Sequence, residues 1–153
     1  MPLKLAAPTE ETFELERSDA LYGTDGEPTR VTIRQATQAQ NEKRSRVFSE
    51  LQRVFKAQQE DEEGNSFTLR SNWTNEELKR TEAFLTMVDC NLLDEDDKPL
   101  FRFKKRKGDD KQYLDMSTHE FSEAWGRLPP IIANEIHEKV LEVNLTWGGP
   151  LAT

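Results

Sequence analysis

The sequence predicts an α+β domain, in which an N-terminal β-hairpin precedes a mostly helical body of about four helices. Two short N-terminal runs alternate apolar and polar residues, as half-buried strands do. Later segments repeat apolar residues at helical spacing, and two capping-box signatures mark helix starts. At 153 residues the chain has the length of one ordinary domain. We assign this domain to residues 11–147, between a flexible tail at 1–10 and a C-terminal coil at 148–153.

The composition favours a protein partner over nucleic acid or a membrane. Hydrophobic residues make up 35% of the chain and charged residues 33%, and the formal net charge is -8. An acidic chain repels nucleic acid and anionic membrane surfaces. No run approaches the roughly 20 apolar residues of a membrane span. A single cysteine excludes an intramolecular disulfide and is typical of an intracellular protein.

The N-terminal strands are predicted at 12–16 and 30–34, where apolar side chains stand two residues apart. The segment between them, 22–28, is dense in turn-forming residues and predicts a long hairpin loop. A lone hairpin is only marginally stable in water, so we expect this one to pack on helices or on a partner.

The first long helix is predicted over 37–59, ended by the acidic stretch 60–65, and a brief strand is predicted at 66–70. A narrow apolar stripe at i, i+4, i+7 and i+8 defines the face of this helix. Its members are Val47, Leu51, Val54 and Phe55.

Capping boxes predict the starts of the next two helices. The first box spans 74–77, with Trp73 and Leu78 in staple positions, and its helix should run to about Asn91. The second spans 117–120. The helix after it should end at Pro129 and Pro130, and a last helix is predicted over 130–143. Apolar positions define the inward faces of these last two helices: Phe121, Trp125, Leu128, Ile132, Ile136, Val140 and Val143.

A second short hairpin is predicted near 99–115, with a turn at 108–110. Its first strand carries five cations within six residues: Arg102, Lys104, Lys105, Arg106 and Lys107. We interpret this run as a charged hairpin tip. Contact with nucleic acid or with an acidic protein patch is the alternative, since cations beside aromatic residues can bind phosphates and stack bases.

No catalytic or metal-binding pattern is found in the sequence, so we expect a non-enzyme without cofactors. His119 and His137 have no Cys or His at metal-ligand spacing. A calcium loop beginning at Asp89 fails, because its sixth position is Asp94 rather than glycine and its twelfth is Leu100. We expect Cys90 to be a small buried hydrophobe on a helix.

Several features together resemble the small tail assembly chaperones and related tail-associated proteins of tailed bacteriophages, over about residues 12–147. These features are the segments 30–37, 120–125 and 128–130, and residues Ile136, His137, Asn144 and Trp147. The resemblance implies an N-terminal hairpin followed by a helical body. It also implies that the protein binds the tape measure protein in the host cytoplasm during tail assembly.

The expected mechanism is helix-in-groove packing through apolar helix faces. The candidate partner-binding residues are Val47, Leu51, Val54, Phe55, Phe121, Trp125, Ile132 and Ile136. For each of them, ordinary core is the favoured interpretation. Two alternative functions stay open. One is a structural virion protein of the phage neck or tail, and the other is an adaptor domain that contacts nucleic acid through 102–107. Self-association is also left open.

Overall fold

The α+β prediction is confirmed by the computed structural model, which describes residues 2–23, 26–61, 66–108 and 110–148, without the side chains of 52, 54–61 and 66–75. A three-stranded antiparallel sheet has the order β1-β2-β3. Its strands are β1 (Glu10–Glu14), β2 (Arg30–Arg34) and β3 (Met87–Cys90). The N-terminal hairpin is therefore confirmed, with Phe13 opposite Val31, although its first strand ends at Glu14 rather than at the predicted residue 16.

A short helix that the sequence analysis missed, α1 (Glu16–Tyr22), lies in the connection between β1 and β2. It begins after Leu15, which is fully buried and provides no side-chain cap. The predicted loop 22–28 overlaps this helix at Tyr22, and its residues 24 and 25 lie outside the described part. Leu15 and Ser18 are buried, so the inner side of α1 packs against the rest of the domain.

The two long helices are α2 (Gln38–Asp61) and α3 (Ser66–Thr86). The strand predicted at 66–70 is wrong, because α3 begins at Ser66. The capping box at 74–77 is also wrong as a helix start, since these residues lie inside α3. The side chains of Trp73 and Thr74 fall outside the described part. Glu77 pairs instead with Arg80, one turn further along the same helix.

The helix predicted to continue to Asn91 ends at Thr86, and the chain changes there to strand β3. Cys90 therefore lies on a strand rather than a helix and stands opposite Val31 of β2. Met87, Val88 and Cys90 are buried, so β3 completes the sheet with apolar residues. Burial raises the pKa of the Cys90 thiol to about 12, with a smaller opposing effect from the backbone of Leu92.

The second hairpin is confirmed by β4 (Phe103–Lys105) and β5 (Gln112–Leu114), which pair antiparallel. Helix α4 (Thr118–Gly126) begins with the predicted capping box. Its cap Ser117 accepts from the amide of Glu120 at 3.1 Å, and Glu120 accepts from the amide of Ser117 at 3.0 Å. The Arg102 side chain and the Ser117 backbone lower the pKa of the half-exposed Glu120 carboxyl to about 2.

Helix α5 (Pro130–Val143) has the predicted bounds, with proline in its first turn. A short 3₁₀ turn follows at Leu145–Trp147, within the predicted domain, and the Trp147 ring is buried. No helix in the described ranges is long and apolar enough to cross a membrane.

Aromatic rings form the centre of the core, beneath α3 and α4. The Phe121 ring lies 5.3 Å from Phe84, 5.3 Å from Phe101 and 5.8 Å from Trp125, between ring centroids. These rings join the segment between β3 and β4, which contains Phe101, to α3 and α4 in one cluster. Each offset or edge-on contact adds to the burial of apolar area.

Replacing Trp125 with alanine should therefore destabilise the fold by ~3–5 kcal/mol, because a buried ring is lost and a cavity opens. Urea unfolding followed by circular dichroism measures this change. Tyr113→Ala is the control, since that ring is 41% exposed and its loss should cost much less. Equal destabilisation by the two variants would contradict the placement of Trp125 in the core.

Candidate functional site

Helices α2, α3 and α4 border an apolar groove, which we name the α2–α3–α4 groove. It is a cavity of about 320 Å³. Its apolar lining comes from all three helices: Val47, Phe84, Leu85 and Phe121. Val47, Phe84 and Leu85 are half-buried, whereas Phe121 is buried beneath them. Pockets of this size, lined by apolar side chains, are the usual binding sites of folded domains.

Three cations also line the groove: Lys43 and Arg46 on α2, and Arg80 on α3. Lys43 and Arg46 are exposed and stand one helical turn apart, next to Val47. Arg80 is half-buried and pairs with Glu77. Across the described ranges, no carboxylate forms an ion pair with Lys43 or Arg46. The groove is therefore locally cationic in a chain of net charge -8.

A buried polar network holds α2 beside the groove. Glu82 of α3 accepts from the Arg44 guanidinium at 2.6 Å and contacts Nε2 of His137 at 2.7 Å. The exposed fraction of the side chain is 3% for Glu82, 15% for Arg44 and 12% for His137. The Arg44 guanidinium also lies 5.2 Å from the centre of the Trp147 ring. One carboxylate thus ties α2 to α3 and α5.

Further hydrogen bonds fix the start of α2. The Gln40 side chain donates to the carbonyl of Leu85 at 2.8 Å, next to the groove. The indole N–H of Trp147 donates to Asn41 at 2.9 Å. The groove walls are thereby set by contacts from α3 and from the C-terminal turn.

A second buried carboxylate, Glu135 of α5, caps helix α1. It accepts from the backbone amide of Ser18 at 2.9 Å, from the Ser18 hydroxyl at 2.7 Å and from the Arg17 amide at 3.2 Å. Burial raises the pKa of this carboxyl, but these hydrogen bonds outweigh burial and leave the pKa below its usual value of 4.5. Glu135 thus replaces the side-chain cap that Leu15 lacks.

A larger cavity, of about 680 Å³, lies between α1 and the loop after β3. Its rim is acidic, with Asp19, Glu27, Asp94 and Asp97. Asp19 accepts from the amide of Thr29, and Asp94 accepts from the amides of Asp96 and Lys98. These two carboxylates therefore close turns of the chain.

The structure separates the candidate partner-binding residues into two groups. Phe121, Trp125, Ile132 and Ile136 are buried in the core. Of these four, Phe121 also lines the groove, beneath the half-buried residues. Val47 lines the groove, and Leu51 is half-buried one turn further along α2. The side chains of Val54 and Phe55 lie outside the described part.

The basic run lies on the second hairpin, as the charged-tip interpretation requires. Arg102 pairs with Glu120, and Lys104 lies 3.5 Å from Asp115. Lys105, Arg106 and Lys107 are exposed, at the end of β4 and in the turn after it. Contact between this run and an anionic partner stays a prediction.

The histidines lie apart. His119 is exposed beside Glu123, and His137 contacts buried Glu82. Among the described residues, no group of three or more His, Cys, Asp or Glu side chains could hold a metal ion.

The sequence analysis did not identify four of the groove residues as site residues: Lys43, Arg46, Arg80 and Phe84. They come from two helices, α2 and α3. The available signal was the spacing of Lys43, Arg46 and Val47, which places two cations beside the apolar stripe of α2. Phe84 and Arg80 join them only through the packing of α3 on α2.

Comparison of the chain with protein-family models, with curated proteins and with solved structures gave no match.

Glu82→Met should destabilise the fold by ~3–5 kcal/mol, because it leaves the Arg44 charge without its partner. The double variant Arg44→Met/Glu82→Met should be less destabilised than the sum of the single variants, since both charges are then removed. Urea unfolding of the four proteins gives the coupling free energy.

The exposed pair Arg53 and Glu50, also on α2, is the control. The same methionine cycle there should give a coupling below about 0.5 kcal/mol. A coupling at Arg44 and Glu82 no larger than this control would show that the network does not hold α2.

Glu135→Gln should lower stability at neutral pH, and the difference from the parent should shrink in acid. The folded pKa of Glu135 lies below 4.5, so its stabilisation is complete above pH 4.5 and is lost as the pH falls through the folded value. Thermal unfolding between pH 7 and about pH 3 measures the difference. Glu142→Gln, an exposed change on the same helix, should show no such trend. A parent–Glu135→Gln difference that is constant with pH would contradict this role.

Proposed function

We propose that this chain is a non-catalytic protein-binding factor that holds an apolar helix face of its partner in the α2–α3–α4 groove. The observation that carries the proposal is the groove itself. It presents half-exposed Val47, Phe84 and Leu85 between three helices, and a buried network fixes its walls. An apolar cleft on a rigid support suits helix-in-groove recognition, in which a few apolar side chains anchor the partner.

More specifically, we propose a phage tail assembly chaperone that binds the tape measure protein in the host cytoplasm. The layout of the sequence, with its N-terminal hairpin and helical body, supports this class. The acidic surface suits a protein that keeps an aggregation-prone client in solution. The groove would cover apolar side chains that the client later buries in the tail.

A groove of this size suits weak and repeated binding. Burial of one large apolar side chain contributes about 1.5–3 kcal/mol, so one site alone gives modest affinity. Several copies bound along a long helical client would still shield it, and each could dissociate when the tail polymerises. The alternative is a structural virion protein that stays in the neck or tail.

Co-expression with a tape measure protein should raise the soluble fraction of that client. Val47→Gln should reduce this effect, because it replaces an apolar groove contact by a polar side chain of good helix propensity. Leu145→Gln is the control, since Leu145 is 79% exposed and lies outside the groove. The soluble client fraction, measured by sedimentation and gel densitometry, gives the result.

Unchanged client solubility with the parent chain would count against the chaperone proposal. Mass spectrometry of purified particles separates the two phage functions. A chaperone should be absent or strongly depleted, whereas a structural protein should be present at a fixed copy number.

A further inference from the structure

Arg46, one of the two exposed cations at the groove, differs from most arginines of the described chain. Most of those arginines have carboxylate partners, as Arg17 has Glu138, Arg34 has Glu10 and Arg127 has Glu95. The chain has 29 acidic residues, so carboxylates are abundant. Lys43 and Arg46 nevertheless have no carboxylate partner in the part of the chain that the structure describes. A positive rim thus stands beside an apolar floor in an acidic protein.

We propose that the occupant of the groove is an acidic amphipathic helix of another protein, whose apolar face is flanked by carboxylates. This inference rests on the proposed function, that the groove binds protein, and it adds the chemistry of the partner. The apolar residues of the helix would lie against Val47, Phe84 and Leu85. Its carboxylates would face Lys43 and Arg46 on one side of the groove, and Arg80 on the other.

The two parts of the groove have different effects on binding. Apolar contact supplies most of the affinity, because exposed ion pairs contribute little. The cations select among partners, since like charges placed opposite one another are unfavourable and opposite charges also speed association. The overall charge of -8 disfavours acidic partners at other surfaces. The cationic groove is therefore the place where an acidic helix would be accepted.

Two designed peptides test the proposal with the full chain. Each is an amphipathic helix of about 18 residues with the same leucine face at i, i+3, i+4 and i+7. One has glutamates beside the leucines and the other has lysines. Fluorescence anisotropy should show the glutamate peptide binding about tenfold more tightly, which corresponds to about 1.4 kcal/mol. Added salt should reduce this preference.

Charge-reversing variants locate the effect. Lys43→Glu/Arg46→Glu should remove or invert the preference for the glutamate peptide. The matched control is Lys105→Glu/Lys107→Glu, which reverses two exposed charges on the second hairpin and should leave the preference intact. Circular dichroism checks that each variant is folded.

Several outcomes would overturn the proposal. Equal affinity for the two peptides would show that the charge of the helix does not affect its binding. If only the variant Lys105→Glu/Lys107→Glu lost the preference for the glutamate peptide, the anionic contact would lie at Lys105 and Lys107. A preference for the lysine peptide that groove variants leave unchanged would point to the acidic cavity beside α1. Dimerisation of the chain alone, abolished by Lys43→Glu/Arg46→Glu, would make a second copy the occupant.

Failure of this proposal is distinguishable from failure of the proposed function. If Val47→Gln weakens both peptides equally, the groove binds helices without regard to charge, and the protein-binding function stands. If the parent binds neither peptide, the acidic-helix proposal is wrong. The client solubility assay then judges the protein-binding function by itself.

Discussion

The buried carboxylate of Glu82 is the constraint on which the arrangement of the long helices depends. A carboxylate with a 3% exposed side chain is strongly unfavourable unless charged or hydrogen-bonding groups compensate it. Arg44 and His137 supply that compensation from α2 and α5. The Arg44–Glu82 pair therefore ties α2 to α3 at this position as well as compensating the buried charge.

The position of the groove follows from this constraint. Arg44 lies between Lys43 and Arg46 in the sequence. Because the Arg44 side chain faces inward to Glu82, the side chains of Lys43 and Arg46 lie on the outer side of α2. Trp147 covers Arg44 from the C-terminal turn, which links the end of the domain to the groove wall. A groove whose walls are already fixed loses little conformational entropy when a partner binds.

Much of the fold could be predicted from the sequence where local signals decide the structure. Alternating residues located β2, the capping box at Ser117 located α4, and Pro130 located the start of α5. The errors arose where distant residues decide. Helix α1 receives its cap from Glu135, 117 residues away from Ser18 along the chain, and no local pattern could reveal it.

The segment Met87–Cys90 is a second place where distant residues decide the secondary structure. Its apolar residues fit the end of a helix as well as a strand, and the pairing partner offered by β2 makes it a strand. The capping signature at Thr74 lies inside a helix because α3 starts eight residues earlier, at Ser66. Of the residues that line the groove, Val47 and Phe121 belong to apolar faces predicted from the sequence. The lining residues of α3 and α4 join those of α2 only after the three helices have packed.

We propose that a partner helix binds in the α2–α3–α4 groove. Methyl chemical-shift mapping of the chain, titrated with the glutamate-flanked helix, tests it directly. We expect saturable shifts at the methyl groups of Val47, Thr81 and Leu85, which line the groove. Shifts confined to the exposed methyl groups of Leu21, Leu93 or Leu145 would place binding elsewhere and contradict the account.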